Sequence, residues 1–587
     1  MATLKGSAVL QRALDVFTFW KWNFVLIFLL GLLIYSNTFH ASFHFDDGRN
    51  IINNFAIRNL WNLKGIWDFL PNRFLTYLSL AINYHFHQLS LPGYHIFNLT
   101  VHLGTAMLVS WFAFLILSTP GAKTHSVSRH ANLISLLAGL LFVSHPIQTQ
   151  AVTYIIQRTA SLAAFFYLLS VCLYLKSRLI QERSLESAVW VRPYVGSVLA
   201  ATASFFTKEL AVTLPFMLLL CEFSFFPNIP KKTAVKKVLP FFLIMSGLLA
   251  LFYRSGWERL LKVRVLTEFQ AGSNAIAPGQ YLLTQFRVLV TYLRLLLLPV
   301  NQNLDYDYSI AQTLWQTPTL ISFIFILLIL AAAVVLFRKH RVLSFGIFWF
   351  FLVLAPESSI FPIRDVIFEH RLYLPMVGFS LFLPTVACYA AGSKRLKPMI
   401  IILLAVVVCY SVMTYTRNRV WKDEITLWSD VVQKSPNKAR PYINRGLAYS
   451  VAGEYEKALA DCNWAIRLSP SYAAAYCNRA SVYHYMGRYD LAIADYTRAI
   501  ELRPALSDAY YNRAFSYEKI KEYNRAIADW SQVIKFNPRD ADAYYNRVVT
   551  LILLGEYERA QKDIRKMDEM GYPYNPAMLK LLPGTGN

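Results

Sequence analysis

Two adjacent carboxylates, Asp46 and Asp47, follow the first apolar run of the chain, in the sequence His44-Phe45-Asp46-Asp47-Gly48-Arg49-Asn50-Ile51. A charged pair at the end of a hydrophobic helix is costly inside a bilayer, so we expect it at a membrane surface that handles something polar. Neighbouring side chains of an extended loop point to different sides, so one aspartate would face a reaction centre while the other binds a metal ion or orients its neighbour. Asp-Asp-Gly also favours a turn or a helix cap, which is the structural alternative.

Three polar side chains lie on one face of the second apolar run. His95, Asn98 and His102 have the spacing i, i+3 and i+7, which brings them together on a helix. Polar residues in a membrane helix face the bundle interior or a water-filled cavity, so we expect the two histidines to support substrate binding. Hydrogen bonding between helices is the alternative, and it is the favoured interpretation for Asn98.

Cations occur at the same predicted membrane surface. Lys208 and Glu209 lie between two apolar runs, and Arg158 and Arg371 lie at the same level. An ammonium or guanidinium group there suits a lipid phosphate, whereas an ion pair that locks two helices is the alternative for Lys208 and Glu209. Three cations beside several carboxylates predict an anionic, lipid-linked substrate and an acid or base that acts on it.

Membrane helices are predicted to position these residues. Of the 587 residues 56% are hydrophobic, which is high for a soluble protein, and they are concentrated before about Thr416. We therefore predict an all-α fold, a polytopic helix bundle of about 11 spans followed by a soluble repeat domain. The apolar runs are 24–39, 96–117, 131–144, 151–175, 189–206, 210–226, 238–253, 319–337, 342–361, 372–391 and 398–415.

Basic residues predict the orientation of the bundle. If the N-terminus is cytoplasmic, every inside loop is basic, as the positive-inside rule requires, and an odd number of spans places the repeats outside. The basic loop 254–264 is the exception, and 281–299 is predicted to be a re-entrant or surface helix because it carries arginines. The outer face then receives the unusual residues: Asp46, Asp47, His145, Lys208, Glu209, Asp305, Glu369, His370 and Arg371.

A 34-residue period begins at Tyr442 with the pattern Tyr-x-Asn-Arg, which recurs at Tyr476, Tyr510 and Tyr544. Small residues in the second helix of each unit and closing prolines at this period are the tetratricopeptide signature. The small residues are Ala458, Ala492, Ala526 and Ala560, and the prolines are Pro470, Pro504 and Pro538. The predicted domains are the membrane domain 1–416, a connector with a partial repeat helix at 417–441, the repeats at 442–575 and a tail at 576–587.

Several function classes are disfavoured by the composition and by missing motifs. The net charge of +23 is assigned to loops that set topology, so nucleic acid is not an expected partner. The six cysteines have no metal-binding spacing. The chain has no P-loop, GxGxxG, HExxH or GxSxG motif in a credible setting, which argues against nucleotide-dependent, metalloprotease and serine-hydrolase chemistry.

The chain resembles the TMTC-type family of transmembrane and tetratricopeptide repeat proteins, within the GT-C glycosyltransferases that use polyprenyl-phosphate sugars. The resemblance covers essentially the whole chain, with seven motifs in the same order. They are Phe45-Asp46-Asp47 with Ile51 and Asn54; Arg73 to Thr76 with Asn83-Tyr84; Tyr94 to Leu99 with His102; His145 to Gln148 with Ala151 to Tyr154 and Gln157-Arg158; Lys208-Glu209 with Leu214-Pro215; Asn303 to Tyr306; and Glu357 to Ser359 through Glu369 to Pro375.

The resemblance implies transfer of a sugar, mannose in the characterised branch, from a polyprenyl-phosphate carrier to Ser or Thr hydroxyls of an acceptor protein bound by the repeats. By analogy Asp46 or Asp47 is the general base, and Arg158, Lys208 and Arg371 stabilise the leaving phosphate. Substrate binding or support of these groups falls to His95, His102, His145, Glu209, Asp305, Glu369 and His370. Whether Mg²⁺ or Mn²⁺ takes part is left open.

Two departures from the family pattern bear on these expectations. Gln150 stands where relatives often have Glu, and about four repeats offer only a small acceptor surface. A non-enzymatic membrane scaffold is the alternative function, and a flippase would need polar residues through the bilayer depth. We expect a bacterial inner membrane with periplasmic repeats; an endoplasmic reticulum membrane with lumenal repeats is the alternative.

Overall fold

The computed structural model describes residues 21–183, 188–252, 276–359, 361–363, 365–392 and 395–572, and within these ranges it is all-helical with no strand. The chain divides into two compact units, of which the first ends at Thr426 and the second continues from Leu427. The all-α prediction, with apolar helices before a repeat region, is confirmed. The predicted basic loop 254–264 lies outside the described residues.

The first unit consists mainly of apolar helices. Six are long and apolar enough to cross a membrane: Leu91–Leu117, Ser126–Ser144, Ile155–Arg183, Lys231–Phe252, Thr317–Lys339 and Leu396–Trp421. Shorter apolar helices occupy Lys21–Ile34, Arg341–Leu354 and Pro375–Ala391. The remaining helices of eight or more residues are Phe74–His87, Val191–Phe205, Leu214–Phe225 and Pro278–Leu297. The chain thus has the helices of a multi-pass membrane protein, while the number of spans and the placement of 281–299 stay predictions.

Proline begins several helices of this unit, because its missing N–H is not needed in the first turn. Pro215 and Pro375 lie in the first turns of their helices, and Pro146 begins the turn after Ala131–Ser144. Short 3₁₀ turns before or between the helices carry the polar motifs. These turns are Pro146–Gln148, Ile155–Gln157, Glu209–Thr213 and Glu369–Leu372.

Close helix packing fixes the loop that carries Glu357 and Glu369. The helices before and after this loop touch backbone to backbone, since a Cβ atom on Gly346 would lie 3.0 Å from the Gly378 carbonyl oxygen. Small residues permit such an approach between apolar helices. Trp349 packs into the same contact and donates its indole N–H to the Leu374 carbonyl at 2.9 Å. The polar loop is therefore held at both ends by rigid helices.

Basic and histidine side chains lie at the ends of the helices opposite to the acidic motifs. Arg341 donates to the Ser224 carbonyl at 3.1 Å, and the rings of His125 and His340 lie 6.5 Å apart. His125, His340 and Arg341 belong to segments predicted to be cytoplasmic, and Ser224 lies near the end of the apolar run 210–226 that precedes another such segment. The acidic motifs are in the alternate loops, and the side of the membrane on which each end lies stays a prediction.

The second unit is a series of antiparallel helix pairs. They are Ala439–Val451 with Tyr455–Leu468, Ala473–Tyr485 with Tyr489–Leu502, Ser507–Lys519 with Tyr523–Phe536, and Ala541–Leu554 with Tyr557–Glu569. The periodic alanines of the second helices are fully buried, as helix crossings require. A helix at Glu424–Lys434 precedes them, where the sequence predicts part of an earlier repeat.

Each helix pair contains one arginine–aspartate pair with a spacing of 16 residues. The guanidinium donates two hydrogen bonds of 2.6 to 2.8 Å to the carboxylate, in the bidentate geometry that suits Arg and Asp. The pairs are Arg445–Asp461, Arg479–Asp495, Arg513–Asp529 and Arg547–Asp563.

Candidate functional site

Asp47 is fully buried and its carboxylate holds the loop in place. One oxygen accepts the N–H of His44 at 3.0 Å, and the other accepts the N–H of Ile156 at 2.8 Å. Burial raises the pKa of Asp47 to about 7, against the lowering effect of these hydrogen bonds. Asp47 thus joins the loop 42–53, hereafter the acidic loop, to the turn Ile155–Gln157.

Asp46 has the opposite environment, because its side chain is exposed while its backbone is fixed. Its N–H donates to the Tyr154 hydroxyl at 2.8 Å, and its carbonyl accepts from the Asn50 amide at 2.8 Å. The Tyr154 hydroxyl also hydrogen-bonds to the Asp46 side chain. Tyr77 donates to Asn50 at 2.6 Å and so extends this support. The sequence left the roles of the two aspartates open, and their surroundings now distinguish them.

Tyr154 stays protonated beside this carboxylate. Burial raises the pKa of its hydroxyl well above the usual value, and the charges of Asp46 and Asp47 raise it further. The hydroxyl is therefore a hydrogen-bond donor to Asp46 at neutral pH. A hydrogen bond to a carboxylate orients it without removing its charge.

Lys208 and Arg371 meet at a third residue, Glu357. The Lys208 Nζ lies 2.6 Å from one oxygen of Glu357, and the Arg371 Nε lies 3.9 Å from the other. Burial alone would raise the pKa of Glu357, but the neighbouring cations lower it below the usual value. Lys208 therefore pairs with Glu357 and not with the adjacent Glu209. We call Arg73, Lys208, Glu357, His370 and Arg371 the cation cluster.

Arg73 is the third cation of this cluster. Its charge acts on both Glu357 and His370, and its Nε lies 3.8 Å from Glu209. Asn72 donates a hydrogen bond to the same carboxylate of Glu209. Burial and the cations lower the pKa of His370 well below its usual value, so this imidazole is neutral.

Several buried polar atoms around the cation cluster have no hydrogen-bond partner within the described part of the chain. They are the Arg73 Nε, the Gln150 Nε2, the Ser358 Oγ and the His370 Nδ1. Buried polar groups are normally satisfied, so a group of unsatisfied ones needs an explanation such as a bound ligand. The other end of Gln150 accepts the His370 N–H at 2.7 Å, so this glutamine supports the cluster.

One short segment connects the acidic loop with the cation cluster. Tyr154 contacts Asp46, and Gln150, four residues earlier, contacts His370. The helix that begins at Phe74 adds a second connection, since Tyr77 reaches Asn50 of the acidic loop while Arg73 belongs to the cluster. The segment 150–154 and the start of the helix Phe74–His87 therefore each connect the acidic loop with the cation cluster.

Arg158 is not part of this arrangement. Its guanidinium is fully buried, where it donates to Asn83 at 2.6 Å and to the Tyr94 carbonyl at 3.2 Å. The Phe97 ring lies 4.5 Å from its central carbon, which adds a cation–π contact. These contacts bind three helices together and occupy the Arg158 guanidinium with protein groups.

The predicted histidines also contact protein groups. His95 hydrogen-bonds to the Ala41 carbonyl at 2.8 Å, just before the acidic loop. His102 bonds to the Tyr373 hydroxyl at 2.8 Å, and His145 bonds to the Leu296 carbonyl at 3.0 Å. All three are buried, so they position backbone segments and do not extend the exposed carboxylate site.

Glu369 organises the loop that contains Asp305. It accepts from the Asn303 N–H at 2.5 Å, from Gln302 at 3.0 Å and from the Tyr306 hydroxyl at 2.6 Å. Burial raises its pKa above the usual value. Asp305 is buried, and its N–H donates to the Asn303 side chain. The Glu369 carboxylate therefore holds the loop that contains Asp305.

The described residues contain no group of three His, Cys, Asp or Glu side chains that could hold a metal ion. Of the two exposed carboxylates described at this site, Glu209 accepts from Asn72 and lies 3.8 Å from Arg73, which leaves Asp46 as a single candidate ligand. One carboxylate is too few for a protein-held divalent cation. The residues described here thus do not fit a resident Mg²⁺ or Mn²⁺ site, and no step below depends on one.

Sequence reasoning missed the roles of Glu357, Arg73 and Tyr154. All three lie inside motifs quoted above, so they were visible as members of a pattern. Their partners are distant in the chain, and sequence spacing within one element does not reveal such contacts. The sequence signal for all three was a charged or hydroxyl-bearing side chain within a motif from which other residues were selected as candidates.

Tetratricopeptide repeats match residues 439–472, 473–506 and 507–540, and a further tetratricopeptide match covers 530–562. The predicted repeat identity is thereby confirmed. Among solved structures, the crystal structure of MamA covers 25% of this chain and 86% of its own at 24% identity and a TM-score of 0.24. YrrB covers 33% of this chain and 95% of its own at 19% identity and a TM-score of 0.24. At these TM-scores the likeness adds nothing to the repeat assignment.

Curated relatives are named protein O-mannosyl-transferases. The chain is 24% identical over 448 residues to F38B6.6 of Caenorhabditis elegans, covering 72% of this chain and 59% of the relative. It is 24% identical over 497 residues to TMTC4 of Homo sapiens, covering 75% and 65%, and 24% identical over 528 residues to Tmtc3 of Drosophila melanogaster, covering 76% and 55%. The chain thus spans somewhat over half the length of the curated relatives it matches.

Proposed function

We propose, with the confirmed similarity to TMTC-type protein O-mannosyl-transferases as the premise, that the chain is a membrane glycosyltransferase. It moves mannose from a polyprenyl-phosphate carrier to Ser or Thr hydroxyls of a protein. The observation that carries this proposal is the exposed Asp46 carboxylate on a fixed backbone, beside a cation cluster with unsatisfied buried donors.

Asp46 acts as the general base. Its carboxylate takes the proton of the acceptor hydroxyl while that oxygen attacks the anomeric carbon of the sugar. The bond from that carbon to the carrier phosphate breaks, and the phosphate leaves with the electron pair. Attack opposite the leaving group inverts the anomeric configuration. Tyr154 orients Asp46, and Asp47 serves by holding the loop.

The cation cluster stabilises the leaving phosphate. Lys208 and Arg371 were expected to do this, and Arg73 takes the place assigned from sequence to Arg158. Preorganised cations aimed at developing negative charge lower the barrier without reorganisation. Glu357 keeps Lys208 and Arg371 together before the phosphate arrives, and the unsatisfied donors of Gln150 and Ser358 supply further hydrogen bonds to its oxygens.

The repeats recruit the acceptor protein, because tetratricopeptide superhelices present a surface to peptides. The acidic loop and the repeats share the outer side of the membrane under the positive-inside assignment. A bacterial inner membrane with periplasmic repeats is proposed, and an endoplasmic reticulum membrane is the alternative. A non-enzymatic scaffold is less favoured, since it leaves the unsatisfied donors of the cation cluster unexplained.

Transfer of radiolabelled mannose from a polyprenyl-phosphate donor to membrane protein tests the proposal. We expect Asp46→Asn to lower the rate about 10²–10⁴-fold, the usual contribution of a positioned base. Asp68→Asn is the matched control, because Asp68 is another exposed aspartate of the first unit and has no role in the proposed reaction. Equal activity of wild type and Asp46→Asn, with both proteins folded by size-exclusion chromatography, would contradict the assigned base.

A further inference from the structure

Four hydrogen bonds connect the acidic loop with the segment 421–424, and we call them the 421–424 clamp. Ser42 donates its N–H to the Lys422 carbonyl at 3.2 Å, and His44 donates through Nε2 to the Trp421 carbonyl at 2.7 Å. The carboxylate of Glu424 then contacts the His44 Nδ1 at 3.2 Å and accepts the Phe45 N–H at 3.2 Å. Nothing in the proposed reaction uses these groups directly.

The clamp acts where the loop backbone is strained. Phe45 has a φ of +44°, in the left-handed region that is unfavourable for a residue with a Cβ atom. Such a conformation persists only when its surroundings enforce it, and it occurs preferentially at functional sites. Phe45 directly precedes Asp46, so its backbone angles determine the direction in which the Asp46 carboxylate points.

The Glu424 carboxylate is the part of the clamp that reaches this residue. A carbonyl oxygen only accepts, so the His44 Nε2 must carry the hydrogen that bonds to Trp421. The His44 Nδ1 lies 3.2 Å from the Glu424 carboxylate, and the Phe45 N–H donates to the same carboxylate oxygen at 3.2 Å. Charge-assisted bonds of this kind are stronger than neutral ones.

Aromatic packing supports the same segment. Trp421 is buried, its ring stacks on Tyr154 at 5.7 Å, and its edge contacts His44 at 5.6 Å. Tyr154 is the residue that hydrogen-bonds to Asp46. Trp421 and Glu424 therefore approach Asp46 from two directions, one through Tyr154 and one through the backbone of Phe45.

We infer that Glu424 is a positioning residue for the general base, acting through the Phe45 backbone. The inference rests on the proposed function, since it concerns how Asp46 is aimed. Loss of the carboxylate lets the loop relax from the left-handed conformation and turns Asp46 away from the acceptor hydroxyl. Substrate binding at the cation cluster should be unaffected, because Glu357, Glu209 and Gln150 hold the residues of that cluster.

Kinetics of Glu424→Ala test the inference. We expect kcat to fall about 10–100-fold, while the KM for the polyprenyl-phosphate donor stays within about 3-fold, as for a misaimed group that binds no substrate. Asp423→Asn is the control: it removes the neighbouring charge but keeps an oxygen for the N–H of Thr426. An unchanged kcat in Glu424→Ala, or a loss that appears only as a raised donor KM, would overturn the inference.

Rescue by glycine separates positioning from general damage. Glycine adopts the left-handed region without strain, so Phe45→Gly combined with Glu424→Ala should recover at least about 5-fold in kcat over Glu424→Ala alone. Phe45→Gly in the wild-type background measures the loss due to the side chain itself. No recovery in the double variant, at equal thermal stability, would contradict a role through the Phe45 backbone.

Amide hydrogen exchange provides a readout that does not depend on transferase activity. In Glu424→Ala the peptide containing residues 42–47 should exchange faster, while exchange in the repeat helices stays unchanged. If wild type has no transferase activity, the proposed function fails and this exchange result still decides on the clamp. Unchanged exchange at 42–47 would overturn the clamp even in a fully active enzyme.

Discussion

The aspartates of the repeats and those of the acidic loop are bound in different ways. In the repeats every motif aspartate receives two hydrogen bonds from an arginine 16 residues earlier. In the acidic loop Asp47 receives only backbone N–H groups, and Asp46 is exposed beside a tyrosine hydroxyl. The motif carboxylates of the repeats are thus bound by guanidinium groups, whereas the Asp46 side chain is exposed to solvent.

The partners of a carboxylate indicate whether it stabilises the fold of this chain or takes part in the proposed reaction. A periodic Arg–Asp pair repeats because each helix pair needs the same contact. The acidic loop occurs once. Of its two adjacent aspartates, Asp47 holds the loop and Asp46 faces the solvent. Glu357 is intermediate, because it is paired with cations at a place where buried donors remain unsatisfied.

Lys208→Met tests whether the Lys208–Glu357 pair is more than another structural pair. We expect mannosyl transfer to fall about 10²-fold, in the range seen when one preorganised charge donor is removed. The single change also leaves Glu357 unpaired, so the double variant Lys208→Met with Glu357→Gln is the informative comparison. The double variant should regain thermal stability but not activity.

Full recovery of transfer in that double variant would mean that Lys208 serves only Glu357. The cation cluster would then resemble the Arg–Asp pairs of the repeats, and the proposed phosphate contact would fall. Donor KM measured in parallel separates weaker binding of the carrier from slower chemistry. A rise in KM with unchanged kcat would indicate binding of the phosphate in the ground state only.

The sequence predicted the repeats and the helical class well, because both depend on local periodicity. Alanines at the helix crossings and prolines between units define the repeat without any distant contact. The apolar runs likewise predict helices, and the basic loops predict two chemically different ends. These features need only neighbours in sequence.

The site was harder to predict because it depends on the rotation of helices about their axes. Sequence places Arg158 at the same membrane level as Lys208, but the helix turns its guanidinium towards Asn83 and Tyr94. The partner of Lys208 is Glu357, from a loop far along the chain. The environments of Asp46 and Asp47 depend on Ile156 and Tyr154, which no local pattern connects to them.

Asp529→Asn tests whether an arginine-paired aspartate of the repeats has only a structural role. Loss of the charge weakens both hydrogen bonds from Arg513, and the free energy of unfolding should fall by about 1–3 kcal/mol. The proposed base is untouched, so kcat should remain that of wild type. Thermal unfolding of the full chain, with the exposed Asp490→Asn as control, measures the loss. A catalytic defect of the size expected for Asp46→Asn would contradict the structural role.

Asp47 should give the smallest effect, a pH dependence of the free energy of unfolding. Burial raises its pKa from 3.8 to about 7, so the folded state holds a proton that the unfolded state has already released. Its stabilising contribution is complete below the unfolded pKa and is lost as pH rises through the folded one. Between pH 6 and 8 the free energy of unfolding of the wild type should fall by about 1 kcal/mol relative to that of Asp47→Asn. Thermal unfolding of both proteins across this range measures the difference; a constant difference would mean that Asp47 stays ionised in the folded loop, with the two backbone N–H groups outweighing its burial.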